Sequence, residues 1–170
     1  MSKRVVQTHK APAPFQGAPY SQAIVHGDLV FVAGQVGVDP ETNQVVEGGI
    51  EAQTEQAMKN VKQLLEEQGA RLGDICKIVI YLTDPRYREA VYRVVGKWLK
   101  GVYPVSTGLV IQALARPEWV VEVDVFAVIP ESRLKSLPEP DEDLQWKETA
   151  DRKDAKSRLK KSGQKRKKAK

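Results

Sequence analysis

Between Val120 and Ile129 every odd position is apolar (Val121, Val123, Val125, Ala127, Ile129), the pattern of a strand with one face against a core. The even positions read Val120, Glu122, Asp124, Phe126 and Val128, so two carboxylates stand on a face that is otherwise apolar. Unpaired carboxylates are costly to bury, so either this face is wet or it offers them partners. Glu122 and Asp124 are therefore the first candidates for chemistry, with an acidic pair on a solvated strand as the plain alternative. A second alternation runs from Leu29 to Val36, with Val30, Val32, Gly34 and Val36 on one face and Leu29, Phe31, Ala33 and Gln35 on the other. Gly34 inside it marks either a bulge where something approaches the backbone closely or a small residue admitting a packed neighbour.

The remaining elements follow from spacing and punctuation. Tyr20 to Val25 forms a strand joined to the Leu29 strand through a His26-Gly27-Asp28 turn. Asp39 to Gly49 is turn-rich, with room for a short strand at Gln44 to Glu47. Glu51 to Gln68 carries Ala57, Met58, Val61, Leu64 and Leu65 at helical spacing and ends at Gly69, a helix-terminating glycine. Ile75 to Thr83 is a mostly apolar strand. Asp84 and Pro85 then open a helix reaching about Lys100, whose Ala90, Val91, Val94, Val95, Trp98 and Leu99 form a core stripe. Two strands close the domain, Val105 to Leu114 and Val120 to Ile129.

This order predicts an α/β domain in which two helices cover one face of a single sheet. The other face presents Leu29, Phe31, Val79, Tyr81, Phe126 and Val128 around Glu122 and Asp124. It is too apolar for bare water, which predicts self-association through the sheet and small, partly polar clefts between subunits.

Charge divides the chain. Residues 131–170 hold 14 Lys and Arg against 8 Asp and Glu, which leaves residues 1–130 with a net charge of −1 out of the total of +5. The basic pI thus describes a tail rather than the domain. Three units follow: an extended arm at 1–18, rich in proline and lying along the surface, a domain at 19–130, and a charged, flexible basic tail at 131–170. Arg152 to Lys170 has eleven Lys and Arg against Asp154 alone, enough for weak electrostatic contact with nucleic acid, though a solubility tail reads equally well. Lys160-Lys161 with Lys165 to Lys168 has the form of a nuclear targeting signal for a eukaryotic source. The chain has no apolar run of about 18 residues to span a membrane and no secretory h-region, so a cytoplasmic protein is expected. Cys76 reads as inert packing, His9 and His26 form no zinc pattern, and neither metal nor cofactor is expected.

Ala18 to Ala23 (APYSQA), Val30 to Gln35 (VFVAGQ), Asp39 to Thr42 (DPET) and Val121 to Val128 (VEVDVFAV) together resemble the RidA/YjgF family, also called L-PSP or reactive-intermediate deaminases. The resemblance runs in order from about Ala11 to Pro130. It implies a chorismate-mutase-like (YjgF/RidA) fold, with one mixed sheet and two helices on one face, assembled as a homotrimer with ligand clefts between subunits. It also implies water addition to enamine or imine intermediates such as 2-aminoacrylate, releasing ammonia and a 2-keto acid.

Residue by residue, Glu122 matches the cleft glutamate that positions or activates water, Tyr20 the cleft tyrosine, and Ala33-Gly34 the strand whose backbone lines the site. Tyr92 takes the place of an asparagine common in the second helix. The family's Pro-Ala-Arg-Ser/Thr motif, whose arginine clamps the substrate carboxylate, reads Pro104-Val105-Ser106-Thr107 here. Ser106 stands at the arginine position without a gap; one residue of slippage brings Val105 or Thr107 there, and none of the three carries charge. A lost charge-assisted anchor costs about 2–4 kcal/mol of binding, which argues against efficient hydrolysis of 2-aminoacrylate.

The leading expectation is a trimer that binds a small metabolite in its clefts and hydrolyses a C=N bond, a hydrolase of the deaminase type. Glu122 would be the acid/base, and Ser106 or Thr107 a hydrogen-bond donor. The alternative is a ligand-binding or scaffold protein without catalysis. A third reading, an RNA-binding or endoribonuclease-like translation inhibitor using the basic tail, ranks last.

Overall fold

The computed structural model of the chain describes residues 3–6, 10–12 and 19–134. Its elements are β1 (Lys3–Val6), β2 (Ala23–His26), β3 (Leu29–Val36), α1 (Gly49–Glu66), β4 (Ile75–Leu82), α2 (Arg88–Trp98), β5 (Val105–Val110), β6 (Val121–Val128) and the single turn α3 (Glu131–Leu134). The strands form one six-stranded sheet in the order β1-β2-β3-β6-β4-β5. Neighbours are antiparallel except β4 and β5, which the intervening α2 connects as a parallel pair. The expected α/β architecture is thus present, with β6 at the centre and β1 and β5 at the edges.

Both helices lie on the same face of the sheet. The apolar stripe of α1 (Ala57, Met58, Val61, Leu64, Leu65) is fully buried against β3 and β6, and Val91, Val94, Val95 and Leu99 extend the core beneath α2. From the sheet come Val30, Val32, Ile78, Ile80, Leu82 and the odd positions of β6. Gly69 ends the α1 region in the left-handed conformation, with φ +76°. A buried polar row on α1 ties the helix to the loops at the sheet ends. Asn60 donates to the carbonyls of Val36 and Val38, and Gln53 donates to Glu118 O while accepting from Val120 N–H.

Several boundaries differ from those expected. The second helix begins as a tight 3₁₀ turn, Pro85–Tyr87, capped by the Asp84 carboxylate accepting the Arg86 N–H, and the α-helix proper ends at Trp98. β5 stops at Val110 rather than Leu114, and α1 starts at Gly49. The Gln44–Glu47 strand reduces to a bridge between Val38 and Val45. In the arm, Lys3–Val6 adds an edge strand to β2, because the prolines that exclude regular structure all lie after it. Ala11 is buried in the core rather than on the surface, and the Gln22 side-chain amide donates to the carbonyls of Ala11 and Pro12. Beyond residue 130, α3 docks through Arg133, which pairs with Asp74 and donates to Gly69 O. The rest of the expected tail, including Arg152 to Lys170, lies outside the described residues.

The open face of the sheet carries Leu29, Phe31, Phe126 and Val128, each between 37% and 41% exposed, with Phe31 and Phe126 edge to face at 5.5 Å. Val105 and Leu109 of β5 continue it outward. Val79 lies on this face in register with Thr107 and Asp124, and is buried there. Among the described residues no helix is long and apolar enough to cross a membrane.

Candidate functional site

The register of β6 against its neighbours places Glu122 beside Val36 on one side and Tyr81 on the other, and Asp124 beside Val79. Both acids point to the open face, half-buried among apolar neighbours. Gly34 explains how Glu122 fits. The pairing of β3 with β6 slips between Val32 and Gln35, and the buried Gln35 amide holds this irregularity by donating to the carbonyls of Ala33 and Gly34. A Cβ built on Gly34 would sit 2.1 Å from Glu122 Oε1. The glutamate side chain therefore occupies the space that a side chain at position 34 would need, which is the close approach the glycine suggested.

Burial pushes the Glu122 carboxyl above the ordinary carboxylate range, and the negative charge of Asp124 adds to the effect. Burial also raises Asp124, against the opposing pull of the Tyr81 hydroxyl and Lys77. Tyr81 donates its hydroxyl to Asp124 Oδ2 at 3.3 Å, whereas Asp124 Oδ1 is buried without a hydrogen-bond partner among the described residues. Burial and the adjacent Asp124 in turn raise the Tyr81 phenol. The result is a small acidic centre on a semi-apolar surface, whose carboxyls hold their protons more tightly than ordinary carboxylates do.

Tyr20 apart, the other expected residues separate into two groups. Ala33 and Gly34 lie at the bulge with Glu122. Val105 and Thr107 share the open face, with Thr107 in the same row as Val79 and Asp124. Ser106, by contrast, is in register with Ile78 and so points to the helix side, where its Oγ lies 3.4 Å from the Tyr92 hydroxyl. Gly108, two residues on, leaves room for that hydroxyl: a Cβ there would come within 2.5 Å of it. Ser106 and Tyr92 thus meet each other, but they stand across the sheet from Glu122 and do not meet it within one chain. Tyr20 is 50% exposed in the segment leading into β2. Sequence reasoning placed Tyr81 on the uncovered face without seeing it as the partner of Asp124; the cross-strand row Thr107-Val79-Asp124 and its neighbour Leu109-Tyr81-Glu122 needed the register. It also passed over Arg88, one helical turn before Tyr92, whose guanidinium carbon lies 4.9 Å from the Tyr92 ring centroid.

Comparison with known proteins bears on the family and the fold. A family profile described as Endoribonuclease L-PSP matches residues 8–129. A RutC family protein of Pyrococcus horikoshii is 34% identical over 125 residues, covering 74% of this chain and 97% of its own. The 2-iminobutanoate/2-iminopropanoate deaminase of Mus musculus is 32% identical over 126 residues, 74% of this chain and 91% of its own. The crystal structure of RidA from an Antarctic Psychrobacter superposes with a TM-score of 0.70 at 36% identity, covering 74% of this chain and 99% of that one. By the profile match over residues 8–129 and by these relatives, the chain belongs to the endoribonuclease L-PSP family, the RidA/YjgF group.

Proposed function

We propose that the protein hydrolyses the C=N bond of a small imine or enamine metabolite in a cleft completed by a second copy of the chain. The observation that carries this reading is the desolvated Glu122 carboxyl, seated across Gly34 on an apolar open face. A carboxyl raised in this way exchanges a proton readily with a bound water or substrate nitrogen. The water oxygen bonds to the imine carbon while the C=N π pair moves to nitrogen, which takes a proton from the Glu122 carboxyl, and the carboxylate so formed takes a proton from the attacking water. The resulting carbinolamine then collapses: its hydroxyl proton passes to nitrogen through the same carboxyl, the C–N bond breaks as C=O forms, and ammonia leaves. An enamine enters the same path after protonation on carbon. The deaminase name of the mouse relative supports this reaction class.

The assembly in this reading is a homotrimer. Two features support contact between copies: the apolar open face, and the placement of Ser106 and Tyr92 across the sheet from Glu122, which lets one cleft hold all three only if two chains contribute. Thr107, on the Glu122 side, is the hydroxyl donor from the same chain.

Ammonia release from freshly generated 2-aminoacrylate and from uncarboxylated imines tests the proposal, comparing wild type with Glu122→Ala. Turnover that disappears in the variant while its oligomeric state persists is the expected result. An unchanged rate would discard Glu122 as the acid. The uncharged Ser106 favours a second reading, a binder without catalysis; absence of ammonia release from every substrate together with retained binding would select it.

A further inference from the structure

A cleft of about 590 Å³ opens where α1 ends, and none of the residues lining it belongs to the Glu122 site. Its walls come from three parts of the fold: Lys62 and Glu66 on α1, the Gly69 to Gly73 segment that follows, and Arg133 on α3. Three cations thus meet one carboxylate, with Ala70 and Leu72 as the apolar part of the lining. Arg133 is committed, since it pairs with Asp74 and donates to Gly69 O, which fixes α3 as a wall. Lys62 stands 3.7 Å from Glu66 with both side chains about half exposed, a loose pair. Arg71 is exposed, and none of the ion pairs among the described residues involves it. A Cβ on Gly73 would meet nothing within 4 Å, so the backbone beside Arg71 is open to an approaching chain.

The sequence supplies a matching group close by. Leu134, the last described residue, directly follows the wall residue Arg133, and four carboxylates then occur within five positions: Glu139, Asp141, Glu142 and Asp143. From Leu134 to Glu139 the backbone spans at most about 18 Å, so the first of these acids stays within that distance of the cleft wall. So short a tether gives them a roughly millimolar effective concentration, at which several individually weak ion pairs act together. We infer that the cleft is the docking site of the chain's own acidic stretch, Glu139 to Asp143. Lys62 and Arg71 are its charge partners, Arg71 offering a planar two-donor fork to a carboxylate. Docking anchors the tail to the domain and keeps its acids from neutralising the basic run of Arg152 to Lys170. None of this depends on the hydrolase reading.

Paramagnetic broadening in the full-length protein tests the inference. Cys76→Ser removes the native thiol, Leu144→Cys carries a nitroxide, and the amide signals of Arg71 and Gly73 report its approach. Both signals should lose most of their intensity at low ionic strength. They should recover in about 1 M NaCl, where the Debye length is about 3 Å, and in the Lys62→Glu, Arg71→Glu double variant. Arg93→Glu, on α2, should leave the broadening unchanged. Absence of broadening in the parent, or its survival in high salt or in the double variant, would overturn the assignment. Two other occupancies would do the same. Broadening of isotope-labelled chains by separately spin-labelled ones would give the cleft to a neighbouring copy's segment, and broadening that appears only when the lysines and arginines of 152–170 are neutralised would show the acids paired within the tail.

Discussion

Replacing Gly34 by alanine puts a methyl carbon where the Glu122 side chain already lies. The new Cβ would stand 2.1 Å from Oε1, 2.5 Å from Cδ and 2.8 Å from Cγ. Carbon contacts prefer about 3.5–4.0 Å, so the outer half of the glutamate must move or the β3 bulge must shift. Overpacking of this kind costs about 1–3 kcal/mol. Against it stands the gain of about 0.5–1 kcal/mol from replacing a strand glycine by alanine, since Gly34 does not need a left-handed backbone. The net expectation is a loss of about 0.5–2 kcal/mol. With Glu122 already cut back to alanine the collision is gone, and the same Gly34→Ala change should stabilise by about 0.5–1 kcal/mol. Urea unfolding at a fixed protein concentration measures all four corners of this cycle. A coupling of about 1–3 kcal/mol is expected. Additivity within about 0.5 kcal/mol would refute the claim that Glu122 occupies the space over Gly34.

Two further outcomes concern the acids and the helix. Glu122 and Asp124 bind protons more tightly in the folded chain than in the unfolded one, so their contribution to stability is full below the ordinary carboxylate range and is lost as pH rises through their raised values. The urea midpoint should therefore decline less steeply as pH rises above the ordinary carboxylate value of about 4 in Glu122→Gln than in wild type; parallel slopes would contradict the raised value. Asn60→Leu, which removes the donor to Val38 O and strands the Gln56 amide, should cost about 1–3 kcal/mol for each group left unpaired, and a chemical-denaturation midpoint unchanged from wild type would show that water satisfies them.

Much of the fold was legible because it rests on periodicity. The alternation of β6 assigned each side chain to its face, and the apolar stripe of α1 identified the helix. Gly34 was legible as a point of close approach, though not what approached it. Cross-strand neighbours were not, since register depends on tertiary pairing. The Tyr81 partnership with Asp124 and the separation of Ser106 from Glu122 both required the β4–β5 and β4–β6 alignments. Arg88 and Tyr92 are four apart on a helix and could have been paired from spacing alone. What hid them was the eye for carboxylates: a cation resting on an aromatic ring leaves no charge pattern in the sequence. The N-terminal strand was missed because its prolines cluster after it, not within it.

The sheet that separates Ser106 from Glu122 also insulates them. Within one chain their side chains leave opposite surfaces of a hydrogen-bonded layer, with Ile78 and Val125 under one and Tyr81 beside the other. A change at position 106 therefore leaves untouched the packing that holds Glu122 within the same chain. The part of the protein that would choose among substrates and the part that would move protons can drift separately, so a lineage can exchange one anchoring group for another without rebuilding its acid.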